Sequence, residues 1–206
     1  MSKSTSSKRW LQRQGKDPYV KKVRQSHYRS RAVYKLQEID QKRKLFKPGQ
    51  TVIDLGAAPG SWSQYVAERV GANGKVIALD ILSMEPIEGV IIIEGDFTEQ
   101  ATLDNCLTNI GNSGADLVIS DMAPNITGIR DADQAKTMYL LELALDLARQ
   151  VLNPGGDLLM KVFEGAGVDD FRKELSQLFQ RVSNEKPAAS RDQSREFYIL
   201  ARHINI

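Results

Sequence analysis

The first 25 residues carry few apolar positions and no period. From Ser30 a helical stripe sets in, with Val33, Leu36 and Ile39 on one face and basic residues elsewhere, and Ser30 placed as its N-cap. Lys47-Pro48-Gly49 ends that unit. From Gln50 the chain alternates short apolar runs with helical stretches. Strands are predicted at 51–55, 75–80, 90–93, 116–120 and 158–163. Helices are predicted at 62–70, from a Thr98 cap to about Ile110, from about Asp133 to Leu152, and at 169–179; Asn153-Pro154-Gly155-Gly156 is read as the stop of the third. Two more strands fall near 181–186 and 196–203.

Strands separated by helices of ten or more residues require crossovers, hence a mainly parallel sheet. The near-continuous apolar strands agree, because such strands are covered on both faces. The last two strands have no helix between them and should pair as a hairpin, so one of them must run antiparallel to the rest. The expected fold is α/β and Rossmann-like: a seven-stranded, mostly parallel sheet with helices on both faces and the last strand antiparallel. Residues 26–206 are expected to form this single domain, and 1–25 a basic arm that is mobile unless bound.

With 206 residues the chain can bury a core without staples. Its one cysteine, Cys106, excludes an intrachain disulfide and a Cys-only zinc site and fits a reducing cytosol, so a cytoplasmic location is expected. No apolar run approaches the ~18 residues of a membrane span, and the basic start lacks the apolar core of a signal peptide. The two histidines show no metal-ligand spacing, and no metal is expected. There is no heptad and no large uncovered apolar stripe, so a monomer is expected.

Charge changes the picture. The formal net charge is only +2, but residues 1–47 hold 15 Lys and Arg against 3 Asp and Glu, while the remainder holds 13 against 23. A strongly basic segment on an acidic body points to a polyanion partner, a nucleic acid above all. Trp10 and Tyr19 lie among the basic residues. Such aromatics stack on unpaired bases or pack on the body, and the sequence leaves both open.

Ligands of open α/β sheets sit beyond the carboxyl ends of the strands. The first strand–turn–helix reads D54-L-G-A-A-P-G60, where Gly56 and Gly60 allow a tight turn and close approach of a ligand to the backbone. Asp80 ends the second strand, where a carboxylate can accept both hydroxyls of a ribose. Asp96 follows the third and could accept from an adenine amino group, with Phe97 flanking the ring. These features suit a dinucleotide or another adenosine cofactor. Asp54 discriminates: a carboxylate beside the turn repels a pyrophosphate and suits the sulfonium and ammonium of S-adenosyl-L-methionine. The G-x-G-x-x-G spacing is also missing.

Asp121, in S120-D-M-A-P-N125, ends a central strand beside this cleft. Lys161 lies inside the apolar run L158-L-M-K-V-F163, and lysine is rarely buried without a partner or a function. Glu196 opens the last strand; if that strand is antiparallel, Glu196 faces the same cleft. Lys35 is the candidate from the basic helix, although pattern alone does not separate it from Lys42 or Lys44. The blander readings are a loop aspartate, a lysine snorkelling from a sheet edge, and solvated surface charges.

The segments D54–G60 with S61-W-S-Q-Y65, then S120-D-M-A-P-N125, K161-V-F163 and S194-R-E196, resemble the RrmJ/FtsJ (RlmE) ribosomal RNA 2′-O-methyltransferases. The resemblance runs from about residue 26 to the C-terminus, in order. It implies a Lys-Asp-Lys-Glu catalytic tetrad at Lys35, Asp121, Lys161 and Glu196, and cofactor contacts from Gly60, Trp62, Asp80, Asp96 and Asp121. It implies S-adenosyl-L-methionine as methyl donor. It further implies, as substrate, a uridine ribose in the A-loop of large-subunit rRNA, on the assembled large ribosomal subunit. Relatives that modify tRNA are the main competitors for substrate. In this reading Lys161 accepts the hydroxyl proton or holds the oxygen in line. Lys35 would favour the first role by like-charge repulsion, and Asp121 works against it. A nucleotide-dependent oxidoreductase and a non-catalytic RNA-binding assembly factor are the other classes; Asp54 argues against the first and the intact tetrad against the second.

Overall fold

The computed structural model describes residues 18–125, 127–190 and 194–205. A seven-stranded sheet forms from β1 (Thr51–Leu55), β2 (Lys75–Asp80), β3 (Val90–Glu94), β4 (Ala115–Ser120), β5 (Leu152–Phe163), β6 (Phe179–Glu185) and β7 (Glu196–Ile204), in the order β3-β2-β1-β4-β5-β7-β6. All pairs from β3 to β5 are parallel, and β7 runs antiparallel to both β5 and β6. The fold is therefore the expected one. The chain order reverses between β1 and β4, and the cleft expected at such a reversal lies over their carboxyl ends.

Among the described residues the α-helices are α1 (Pro18–Arg24), α2 (Val33–Arg43), α3 (Ser61–Val70), α4 (Gln100–Ile110), α5 (Arg130–Val151) and α6 (Val168–Leu178). Alternate residues of each strand feed two cores. On one face Ile53, Leu55, Val118 and Met160 meet α4, α5 and α6. On the other, Val52, Leu117, Ile119 and Leu159 meet α2 and α3. Both faces of the central strands are thus apolar, as their sequence requires.

Among the boundaries that differ from the sequence expectation, three have a clear local reason. Ser30 is not the N-cap of α2; that position is Ala32. The Ser30 hydroxyl accepts from Ala32 N at 3.0 Å, and a turn precedes the helix at Val33. Thr98 does not cap α4; it donates its N–H and hydroxyl to Asp96 Oδ1 at 2.9 and 2.8 Å, so Asp96 shapes that turn and the helix starts at Gln100. The Asn153–Gly156 stretch ends α5 but continues as strand. Leu152 pairs with Ala115, and the register shifts before Leu117 meets Asp157, which lets the glycines and proline ride in the sheet at its amino end.

Residues 18–24 form a helix seated on α2. Val20 is buried, Tyr19 donates to Glu38 at 3.0 Å, and its ring meets that of Tyr34. Tyr19 thus packs on the body. Trp10 lies outside the described residues, as does most of the expected arm.

Candidate active site

The glycine turn is built by backbone that only glycine tolerates well. Gly56 has φ +69°, and a Cβ there would stand 2.5 Å from Met122 Cγ. Gly60 has φ +100°, and a Cβ there would stand 2.5 Å from Ile87. Asp80 braces the turn: its Oδ2 accepts from Ala58 N at 2.8 Å, and its Oδ1 from Leu82 N at 2.9 Å. Asp80 thus fixes the turn while lying at its edge. Asp96 is exposed at the end of β3 with Phe97 half-buried beside it, and its Oδ1 is engaged by Thr98.

Asp54 is fully buried beneath the turn. Its Oδ2 accepts from the Ser63 hydroxyl at 2.6 Å, and its Oδ1 has no hydrogen-bond partner. Burial pushes its pKa up to about 7; Ser63 opposes this, and the charges of Asp121 and Asp80 add to it. An orphaned buried carboxylate oxygen has an unmet need for a donor, best of all a cationic one. A cradle with no room for a Cβ, a buried acceptor and two flanking carboxylates fit the ammonium and sulfonium of S-adenosyl-L-methionine. Trp62 takes no direct part through its side chain: the indole is buried, donates to Ala32 O at 2.9 Å and packs on Tyr198. Any contact it makes to a cofactor falls to its main chain.

The four polar candidates form two ion pairs. Lys161 Nζ, almost fully buried in β5, donates to Asp121 Oδ1 at 3.1 Å and also to the Asp121 carbonyl. Lys35 Nζ lies 2.5 Å from Glu196 Oε1, with both side chains largely buried, and Ser190 donates to the same oxygen at 3.1 Å. Lys35 is thereby separated from its neighbours on α2: Lys42 and Arg43 both go to Glu185 at the far end of the helix. The antiparallel β7 brings Glu196 to the cleft, because its first residue pairs with Phe163, the last of β5.

Tyr198, which the sequence reading missed, joins the two pairs. It stands opposite Lys161 in register, is fully buried, and donates its hydroxyl to Asp121 Oδ1 at 2.7 Å. Lys35 Nζ lies over its ring, 5.9 Å from the centroid. Burial, together with the Asp121 and Glu196 charges, holds its phenol protonated. The signal was present in E196-F-Y198: strand period places residues 196 and 198 on one face. Beside the tetrad opens a cavity of about 410 Å³, bordered by Pro124, Gly128, Arg130, Phe163 and Arg195. That is within the size range of small-molecule sites. Among the described residues no cluster of three His, Cys, Asp or Glu is placed to hold a metal ion, and no helix is long and apolar enough to cross a membrane.

Residues 28–204 match the model of the FtsJ-like methyltransferase family. The chain is 54% identical over 202 residues to the ribosomal RNA large subunit methyltransferase E of Pseudomonas aeruginosa, covering 98% of each chain. It is 55% identical over 200 residues to the protein of that name from Alkalilimnicola ehrlichii, covering 97% of this chain and 96% of the other. A solved structure described as a ribosomal RNA methyltransferase, from Plasmodium falciparum, superposes with a TM-score of 0.74 at 29% identity, over 86% of this chain and 98% of that one. With sheet order, glycine turn and sequence in agreement over nearly its whole length, this chain belongs to the FtsJ-like methyltransferase family.

Proposed function

We propose that this protein transfers a methyl group from S-adenosyl-L-methionine to the ribose 2′-oxygen of a uridine in the A-loop of large-subunit rRNA, acting on the assembled large subunit in the cytoplasm as a monomer. The observation that carries the chemistry is the pair of buried Lys–carboxylate contacts joined by Tyr198 at the mouth of the cleft. The names of the similar proteins support the rRNA substrate. The cofactor, when bound, supplies an activated methyl electrophile; the residues of the chain must then bring a weak hydroxyl nucleophile into line with it.

Gly56 and Gly60 admit the cofactor to the backbone, Asp54 meets its ammonium, and Asp80 and Asp96 take its ribose and adenine. Phe97 flanks the base, and Trp62 contributes main chain at the start of α3. Lys161 donates to the substrate oxygen and holds it on the line of transfer, where fixed orientation supplies most of the gain. It also stabilises negative charge that develops on that oxygen. Asp121 fixes Lys161 by two hydrogen bonds, and its carboxylate, one-fifth exposed, gives the released proton a route to solvent. Glu196 fixes Lys35 towards the ribose. Each ammonium is matched by a carboxylate, so neither lysine stands as a bare charge beside the other. This favours the orienting role over that of a free base.

Residues 1–25 are the proposed RNA-contacting segment, its last part, α1, docked on the 26–206 domain. The cavity beside the tetrad offers room for a nucleotide, with Arg130 and Arg195 on its border. The test is transfer from labelled cofactor to large subunits, naked rRNA and tRNA, with the modified nucleotide mapped. Ribose label on a large-subunit uridine supports the reading. Label confined to tRNA favours the competing substrate.

A further inference from the structure

The basic N-terminal segment does more than face a polyanion. Arg29 reaches across to the cofactor cleft. Its Nη1 donates to Pro59 O at 3.1 Å, inside the glycine turn, and to Glu85 O at 2.8 Å. Its Nη2 donates to Pro86 O at 2.8 Å. Glu85 and Pro86 belong to the connection between β2 and β3, which starts just after Asp80 and packs Ile87 against Gly60. One guanidinium therefore ties together the two walls of the cleft: the turn proposed to hold the amino-acid part of the cofactor, and the loop beside its ribose.

Arg29 is itself held. Its main-chain N–H donates to Gln64 Oε1 at 2.9 Å, and Gln64 Nε2 donates to His27 O at 3.1 Å. Ser30 meets Ser61 at 3.2 Å, hydroxyl to hydroxyl, and Trp62 donates to Ala32 O at 2.9 Å. Residues 27–32 are thus stitched to the first two turns of α3, and α2, carrying Lys35, follows directly. A planar fork of five N–H donors suits three carbonyls on two loops; a lysine ammonium cannot span them equally.

The geometry points to Arg29 as a positioning residue that locks both walls of the cofactor cleft to the substrate-side segment, so that cofactor and RNA each favour the arrangement the other needs. The inference rests on the S-adenosyl-L-methionine and RNA readings above. Linkage makes the coupling reciprocal: what the cofactor does for RNA affinity, RNA does for cofactor affinity.

The test uses the full chain with Arg29→Ala and Arg29→Lys. Loss of the three guanidinium hydrogen bonds should raise the cofactor Kd and KM about tenfold in Arg29→Ala, and less in Arg29→Lys, while kcat at saturating cofactor stays within roughly threefold. S-adenosylhomocysteine, which cannot react, should tighten binding to unmethylated large subunits several-fold in the parent protein and not in Arg29→Ala. Unchanged cofactor KM in both variants overturns the assignment. So does a loss of subunit affinity with cofactor affinity intact, which would make Arg29 a plain phosphate contact. The lysine variant, with a melting temperature near that of the parent, separates positioning from misfolding. If the parent protein itself binds no S-adenosyl-L-methionine, the underlying reading fails, not this one alone.

Discussion

Lys161 illustrates why a single residue type in an improbable place is informative. A lysine in the middle of an apolar strand must find a partner, because an unpaired buried ammonium costs several kcal/mol. Here it finds Asp121 twice over. Lys161→Ala is expected to abolish methyl transfer while leaving the cofactor Kd within about threefold, since in the proposed role the ammonium orients the substrate oxygen and not the cofactor. Calorimetry beside a single-turnover assay checks both halves. Asp54 carries a pH signature. With its pKa raised to about 7, it is protonated over much of the acid range and ionised above. In its proposed role against the cofactor ammonium Asp54 must be ionised, so below pH 7 binding should release a proton, and affinity should fall by up to about tenfold per pH unit. In the absence of ligand the sign for stability is opposite: the folded state holds a proton that the unfolded chain gives up, so this group's contribution falls as pH rises from about 4 to about 7. Asp54→Asn should flatten both dependences, read by calorimetry across pH 5.5–8.5 and by thermal melts. Asp54, Asp121, Lys161 and Glu196 were legible because each interrupts or ends an apolar strand. Tyr198 stood out less: strand period puts it on the face of Glu196, but a tyrosine in a strand is ordinary until its partner across the sheet is known.

At the scale of elements, the turn between β1 and α3 and the antiparallel β7 do most of the positioning. Gly56→Ala places a Cβ at φ +69° against Met122. It should cost roughly 1–3 kcal/mol in stability and weaken cofactor binding more than RNA binding. A thermal melt and a cofactor titration check it. The sheet order and the hairpin were readable, because crossover helices and apolar strands admit few topologies. Element ends were less so. Thr98 looked like a cap, but the stronger acceptor two residues earlier, Asp96, took its N–H and hydroxyl. Asn153–Gly156 looked like a stop, yet a register shift against β4 absorbs it. Helix α1 was hidden because its burial rests on contacts of Tyr19 and Val20 with residues that lie further along the chain.

For the whole molecule, the divided charge is the organising fact, and the structure refines it. Part of the basic excess of residues 1–47 is used internally. Lys35 goes to Glu196, Lys42 and Arg43 go to Glu185, and Arg29 goes to main-chain carbonyls. Lys21, Arg24, Lys44 and Lys47 remain exposed and are the better candidates for phosphate contacts. Replacing these four by Gln should weaken RNA binding and lower the slope of log affinity against log salt by up to about 0.7–0.9 per lost contact, with cofactor binding unchanged. In the proposed reaction the paired lysines and carboxylates at the carboxyl edge of this sheet hold an RNA ribose in line for methyl transfer. The most direct measurement incubates unmethylated large ribosomal subunits with labelled S-adenosyl-L-methionine and either the parent protein or Lys161→Ala, and maps the label by mass spectrometry. One 2′-O-methylated uridine in the A-loop is expected with the parent protein and none with the variant. Label on a base, no transfer by the parent protein, or near-normal transfer by Lys161→Ala would contradict it.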